Sequence, residues 1–143
     1  MFSFSIPIRI HYALTDQMGV VYHGNYAGFF EIARTESIRK LGFSYKNMEA
    51  MGIVMPVVDM HTRFLRPIRY DDLITVTVTL RELPLHHKIV FHGEIHNEEG
   101  QLCTTGTVTL YFMELATMKR TTMPAELKDA LLPYFPVIPD TPH

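Results

Sequence analysis

The chain has 143 residues, 47% of them apolar, and a formal net charge of −2. That length suits one domain over 1–143 with a modest core. The absence of any Lys/Arg block argues against a nucleic-acid partner, no apolar run reaches the roughly 18 residues of a membrane span, and a lone cysteine, Cys103, cannot staple the fold.

The start, "MFSFSIPIRI", has no positive segment ahead of an apolar run. No signal peptide is therefore expected, and the chain reads as cytoplasmic. Alternation in "FSFSIPIRI" predicts a strand near 4–10. A turn-like stretch follows, ending at Gly24-Asn25. "AGFFEIARTESIRKLG" then predicts a helix from about 25 to 41, stopped by Gly42. Phe30, Ala33, Ser37 and Leu41 share one stripe of it, flanked by Phe29 and Ile32. Glu36 and Lys40 are spaced for an i,i+4 pair on the wet side. A loop is expected through Met51-Gly52.

Beyond the loop the chain reads mostly as strand. "IVMPVVDMHTRFL" is extended, with Pro56 marking an edge or a bulge. "LITVTVTL" alternates strictly: Ile74, Val76, Val78 and Leu80 face one way, Thr75, Thr77 and Thr79 the other. "KIVFHGEIH" repeats the pattern with Ile89, Phe91 and Ile95. "NEEG" predicts a hairpin turn, answered by "QLCTTGTVTLYFMEL" with Leu102, Val108, Leu110 and Phe112 inward. Gly106 in mid-strand marks a bend or a close helix contact. "PAELKDALL" makes a short last helix with Pro124 near its first turn, and prolines 133, 136 and 139 break up the tail. One long helix and antiparallel strands make an α+β fold. The simplest burial wraps a curved five-stranded sheet around that helix, leaving its threonine face and open edges for a partner subunit.

The chemistry concentrates in "LTDQMGVVYHGNY", Leu14 to Tyr26. Asp16 reads two ways: as a turn residue folded onto its own backbone ahead of Gly19, or as a carboxylate that attacks a carbonyl or steers water onto it. The first amides of a helix lack internal partners and carry partial positive charge. If His23 to Asn25 open the helix, their N–H groups offer a place for an oxyanion. Gly24 lets a ligand approach the backbone. His23 could fill space between Tyr22 and Tyr26, hydrogen-bond the substrate or the carboxylate, or act as an acid. A nucleophilic triad is not supported: no G-x-S-x-G occurs, and Cys103 reads as core. Eight histidines invite a metal reading, but no HExxH occurs and neighbouring His86 and His87 would point apart on a strand.

"Asp16-Gln17-Met18-Gly19-Val20-Val21-Tyr22-His23-Gly24-Asn25-Tyr26" resembles the D-x-x-G-V-V-Y-H-x-x-Y signature of hot-dog-fold thioesterases, in the branch of 4-hydroxybenzoyl-CoA thioesterase and the Tol–Pal-associated acyl-CoA thioesterases. "Phe64-Leu65-Arg66-Pro67-Ile68-Arg69-Tyr70-Asp71-Asp72-Leu73" resembles the family's F-x-x-P-x-x-x-D-x-L segment, which supports fold more than chemistry. The likeness runs from about residue 5 to residue 128. It implies an acyl-CoA thioesterase with a central helix in a sheet, homodimers or homotetramers, and active sites at subunit interfaces. Asp16 falls on the family's catalytic nucleophile or general base. The His23 amide falls on the group that polarises the thioester carbonyl, and Tyr26 on a motif tyrosine of the acyl pocket. Tyr22, Gly24 and Asn25 complete the substrate-binding candidates. Relatives often carry an acidic residue two positions before the catalytic one. Leu14 stands there in this chain, so the site has less local negative charge. Lys119 and Arg120 resemble a late basic spot for the coenzyme A phosphates, with Arg66 and Lys88 as further candidates, although isolated surface cations are often merely solvated. No metal or bound cofactor is implied, since coenzyme A arrives with the substrate.

Two other functions fit part of the pattern. A hot-dog hydroxyacyl dehydratase would pair His23 with Glu31 or Glu36 but leave Asp16 unexplained. A thioesterase variant would place its carboxylate on the helix, at the same two glutamates, which read better as wet-face charges. A non-catalytic acyl-CoA or acyl-carrier-protein binding module would keep the pocket without using Asp16. Phe29, Met48, Met55 and Met60 are candidates to line an acyl pocket, although methionine is also common core filler.

Overall fold

The computed structural model describes residues 1–136; Pro139 lies outside them. Strand β1 (Phe2–Arg9) begins two residues earlier than expected, because Phe2 and Ser3 pair with Leu80 and Thr79 and Phe2 is buried. A hairpin-like loop and a 3-10 turn, His23–Asn25, lead into α1 (Tyr26–Lys40). Gly42, at φ +92, ends it. Then come α2 (Tyr45–Ala50), β2 (Ile53–Val54), β3 (Val57–Phe64), β4 (Leu73–Leu80), β5 (Lys88–His96), β6 (Leu102–Tyr111), β7 (Met113–Glu114) and α3 (Ala125–Leu131). A 3-10 turn over Leu132–Tyr134 contains Pro133. No helix among the described residues is long and apolar enough to cross a membrane.

The main sheet is antiparallel in the order β1-β4-β5-β6-β3; β2 and β7 form a small second pair. Ile74, Val76, Val78 and Leu80 of β4, with Ile89, Phe91 and Ile95 of β5, form the buried face. Against them α1 lays Phe29, Phe30, Ala33, Ser37 and Ile38. The close approach is made at two glycines. A Cβ on Gly93 would overlap the Phe30 ring, and one on Gly106 would come within 2.9 Å of the His61 carbonyl. These absences let the helix sit down into the sheet's curve. On the outer face Ser3 and Thr79, and Ser5 and Thr77, join hydroxyls at 3.1 and 2.7 Å.

Several local expectations are corrected. Ile32 is 46% exposed, because the buried stripe continues through Arg34 and Ile38 instead. Leu102 is only half-buried: Ile95 faces Thr104 but His96 faces Leu102, so Cys103 is an extra residue that shifts the alternation. Cys103 and Thr104 take the buried places. Glu36 pairs with Arg39 at 3.3 Å, while the Lys40 ammonium lies 5.8 Å from the Phe4 ring centre. The stretch expected as loop contains α2, begun by Ser44, whose hydroxyl accepts from the Asn47 amide. Pro56 does sit beside an irregularity, between Val57 and Asp59 at the head of edge strand β3.

Candidate active site

Asp16 opens a tight reversal. Its amide donates to the Val20 carbonyl at 2.8 Å, its carbonyl accepts from Gly19 at 3.0 Å, and its Oδ1 accepts from the Met18 amide at 2.8 Å. Gly19, at φ +76, makes the reversal possible. This is the turn role open to an aspartate of this pattern. It occupies one carboxylate oxygen and leaves the residue exposed.

Bonds within the hairpin close it, and others hold it on the rest of the molecule. The Tyr22 amide donates to the Leu14 carbonyl at 2.9 Å, and so does the Asn25 side-chain amide, also at 2.9 Å. The Val21 amide donates to the Ile68 carbonyl at 2.7 Å, and Val20 bridges Arg69. Leu65 and Arg66 in turn donate to the Cys103 carbonyl at 2.8 and 3.0 Å. The proline-containing segment 64–73 therefore braces the first motif against the sheet.

The helix start supplies donors. Within the 3-10 turn the Asn25 amide is used by the Tyr22 carbonyl and the Tyr26 amide by the His23 carbonyl. Among the described residues the His23 and Gly24 amides have no acceptor. Of the three amides considered from sequence, two are thus available and Asn25 is not. Gly24 owes its lack of a side chain to Tyr22, whose ring a Cβ would meet at 2.6 Å.

His23 and Tyr26 border an open cavity of about 290 Å³ whose other walls are Val20, Val21, Phe64, Leu65, Arg66 and Pro67. Tyr26 is buried and packs edge-on to Phe64 with ring centres 4.8 Å apart. Burial pushes its phenol pKa upward, with a smaller rise from Cys103 and an opposing effect of Thr104. Asp16 stands on the hairpin rather than in this cavity's wall, and the Tyr22 ring lies tilted against that of His23 with centres 4.3 Å apart. The chain thus brings together His23, Tyr26 and Arg66, with Tyr22, Gly24 and Asn25 beside them.

The other cations are elsewhere. Lys88 pairs with Tyr111 in the sheet, and the Arg120 guanidinium lies 5.0 Å from the centre of that tyrosine's ring. Thr104, opposite Phe64, is seven positions down β6 from Tyr111. At about 3.3 Å per residue, roughly 23 Å of strand separates the two groups. Lys119 and Arg120 are exposed in the loop after β7. Arg66 alone of the four borders the His23 cavity, and it also borders a depression of about 640 Å³ with Arg69, Asp72 and Glu98.

Of the acyl-pocket candidates, Met48 and Met55 line a separate cavity of about 340 Å³ between α1, α2 and β2, together with Arg34 and Tyr45. Phe29 is core and Met60 is exposed on β3. Arg34 was not among the residues singled out from sequence. Its place four residues after Phe30, on the stripe of a 3.6-residue period, was the available signal.

The family model of the thioesterase-like superfamily matches residues 10–131. The acyl-CoA thioesterase YbgC of Haemophilus influenzae is 33% identical over 128 residues, covering 89% of this chain and 93% of that protein. The acyl-CoA thioester hydrolase YbgC of Escherichia coli is 31% identical over 124 residues, covering 87% and 92%. The crystal structure of a DHNA-CoA thioesterase from Staphylococcus aureus is similar at a TM-score of 0.79 and 40% identity, covering 85% of this chain and 81% of that one.

Proposed function

The chain belongs to the thioesterase-like superfamily, and from that premise we propose that it hydrolyses an acyl-CoA thioester to the free acid and coenzyme A. The observation that carries the mechanism is the pair of acceptor-free amides at His23 and Gly24, on the rim of the Tyr26–Phe64 cavity. A thioester carbonyl seated there develops negative charge on oxygen as a nucleophile adds, and the two N–H groups stabilise it. Asp16 supplies the nucleophile in one of two ways. Its carboxylate adds to the carbonyl carbon and expels the coenzyme A thiolate, leaving an anhydride that water opens; or it takes a proton from the water that adds directly. Both routes consume one water and release acid and thiol, and neither needs a metal or a bound cofactor. An acyl-carrier-protein thioester would undergo the same reaction.

Substrate lies between two copies of the chain in this proposal. Asp16 is outside the wall of the cavity in a single subunit, and apolar side chains are exposed on the hairpin and around the cavity. Met18 is 84% exposed, and Tyr22, Phe64 and Leu65 continue as an exposed strip to Met60 on edge strand β3. A second copy covering that strip would seat the thioester against the Asp16 hairpin. The homodimer is the working unit, and a tetramer would use the hydroxyl-rich outer face.

Arg66 provides the cation nearest the cavity for coenzyme A. Lys88, Lys119 and Arg120 would serve a phosphate only where another subunit brings them to the site.

The test is thiol release from a panel of acyl-CoA substrates by the wild type and Asp16→Asn. Turnover that collapses in the variant supports the proposal. Binding of every thioester without turnover would make this a binding module. Conversion of a 3-hydroxyacyl thioester to the enoyl form would make it a dehydratase.

A further inference from the structure

Arg34 is the only charged side chain buried among the described residues, at 6% exposure. Helix α1 carries it on the stripe that faces inward, and α2 closes over it. Its Nε donates to the Tyr45 hydroxyl at 3.0 Å. No carboxylate of the described residues lies within ion-pair distance of it. Its two terminal nitrogens have no protein acceptor. Among the described residues Thr104 Oγ1 is the one fully buried side-chain polar atom without a partner, so both terminal nitrogens of Arg34 keep contact with solvent and remain free to donate to a ligand.

The same guanidinium borders the cavity of about 340 Å³. Apolar side chains make up most of the rest of the lining, chiefly Met48, Ile53, Val54, Met55 and Leu110. Glu31 and Glu49 stand at the border too, but both are exposed, where solvent screens them. Tyr45 is held neutral: burial raises its phenol pKa, the charge and hydrogen bond of Arg34 lower it in part, and Glu31 raises it slightly. It therefore orients Arg34 without neutralising it. A cavity of about 150 Å³ accepts benzene, so this one has room for a substituted ring or a short chain. Arg34 lies about 16 Å along the helix from His23, at about 1.5 Å per residue, and helical side chains lean back toward the N-terminus. That is the end at which the thioester is held.

We infer that this cavity receives the far end of the acyl group, and that Arg34 selects substrates whose far end bears an acceptor oxygen, a carboxylate most strongly. The inference rests on the thioesterase reading. It adds a specificity-determining residue remote from the reacting carbonyl. Tyr45 is its positioning residue.

Two matched pairs long enough to span that distance test it: decanoyl-CoA against decanedioyl-CoA, and dodecanoyl-CoA against dodecanedioyl-CoA. The wild type is expected to favour the carboxylate-bearing member of at least one pair in kcat/KM. Arg34→Met should cut that member's kcat/KM by about 10–100-fold, the worth of a hydrogen bond to a charged group, and leave the unsubstituted member within about threefold. Arg34→Lys should retain part of the preference, and Tyr45→Phe should weaken it. The Met variant loses the bond to Tyr45 and should melt somewhat lower than wild type, so the substrate ratio is the deciding readout. A purely structural arginine would lower the melting temperature and leave that ratio alone. An absence of preference in the wild type, or equal loss on both members of a pair, overturns the inference. Should Arg34→Met fail to fold, the ratios of the Lys and Phe variants decide it. Should no thioester turn over at all, the hydrolase reading fails by itself, and calorimetric binding of the same pairs to wild type and variants decides this one.

Discussion

The side-chain amide of Asn25 donates to the carbonyl of Leu14 at 2.9 Å, across a chain separation of eleven residues. This bond joins the 3-10 turn that leads into the helix to another 3-10 turn, Tyr12–Leu14, that ends just before Asp16. One end of it fixes where the His23 and Gly24 amides stand, the other where the carboxylate stands. Asn25→Ala should therefore cost about 1 kcal/mol of stability, the net worth of such a bond, and slow kcat more than it raises KM, since it misplaces two groups that act on one carbonyl. Thermal melting and steady-state kinetics on the same sample check both effects.

Asp16→Asn should lower the single-turnover rate by about 10²–10⁴-fold, the usual worth of a positioned base. Melting should change little, because the asparagine oxygen still accepts from the Met18 amide in the turn. A variant within a few-fold of wild type would mean that the residue serves only the turn.

At His23 the side chain and the backbone are separable. His23→Ala should be milder than Asp16→Asn, because the donor at that position is the N–H. His23→Pro removes the N–H itself and should slow the chemical step by about 10²–10³-fold, as for loss of an oxyanion donor. The backbone admits proline: Tyr22 has φ −63 and ψ 133, the extended conformation required before it, and no intrachain hydrogen bond is lost. Single-turnover rates of the two variants, with circular dichroism as the control for folding, separate the roles. Alanine as damaging as proline would assign the function to the imidazole.

Gly93→Ala should destabilise by about 1–3 kcal/mol, the cost of overpacking, since its Cβ meets the buried Phe30 ring and neither sheet nor helix has room to yield. Adding Phe30→Leu should recover part of that loss. Denaturant midpoints of the single and double variants measure it.

His92, on the outer face between Thr79 and Thr107, has its pKa lowered below 6.5 by loss of solvent and then by Arg81, against an opposing pull from Glu82. The unfolded chain therefore takes up the proton first as pH falls. The contribution to stability is intact above about 6.5 and is lost as pH drops through the folded-state value. His92→Gln should flatten the decline in melting temperature between about pH 7 and pH 5. Identical slopes for variant and wild type would show that this imidazole contributes nothing.

Much of this protein follows from local pattern alone. Strict alternation in 73–80 and 88–96 could bury only one face, and the helix of 26–40 ends where Gly42 permits a positive φ. The motif between Asp16 and Tyr26 pointed to the family by its resemblance to a thioesterase signature, because a run of eleven adjacent residues is legible without knowing the fold. The inward turn of Arg34, the flip at Leu102 and the helix at Tyr45–Ala50 depended on distant partners: on Tyr45, on the extra residue opposite Ile95, and on the packing of Met48. The same holds for the division among the basic residues. Arg66 shares a cavity with His23 only because segment 64–73 folds back onto the motif, while β6 carries Tyr111, and with it Lys88 and Arg120, to the opposite end. Periodicity reports which face of an element seeks the core, over a few residues. Which groups then meet across the core is set by register and bulges between strands far apart in the chain, and those are settled only when the whole sheet closes on its helix.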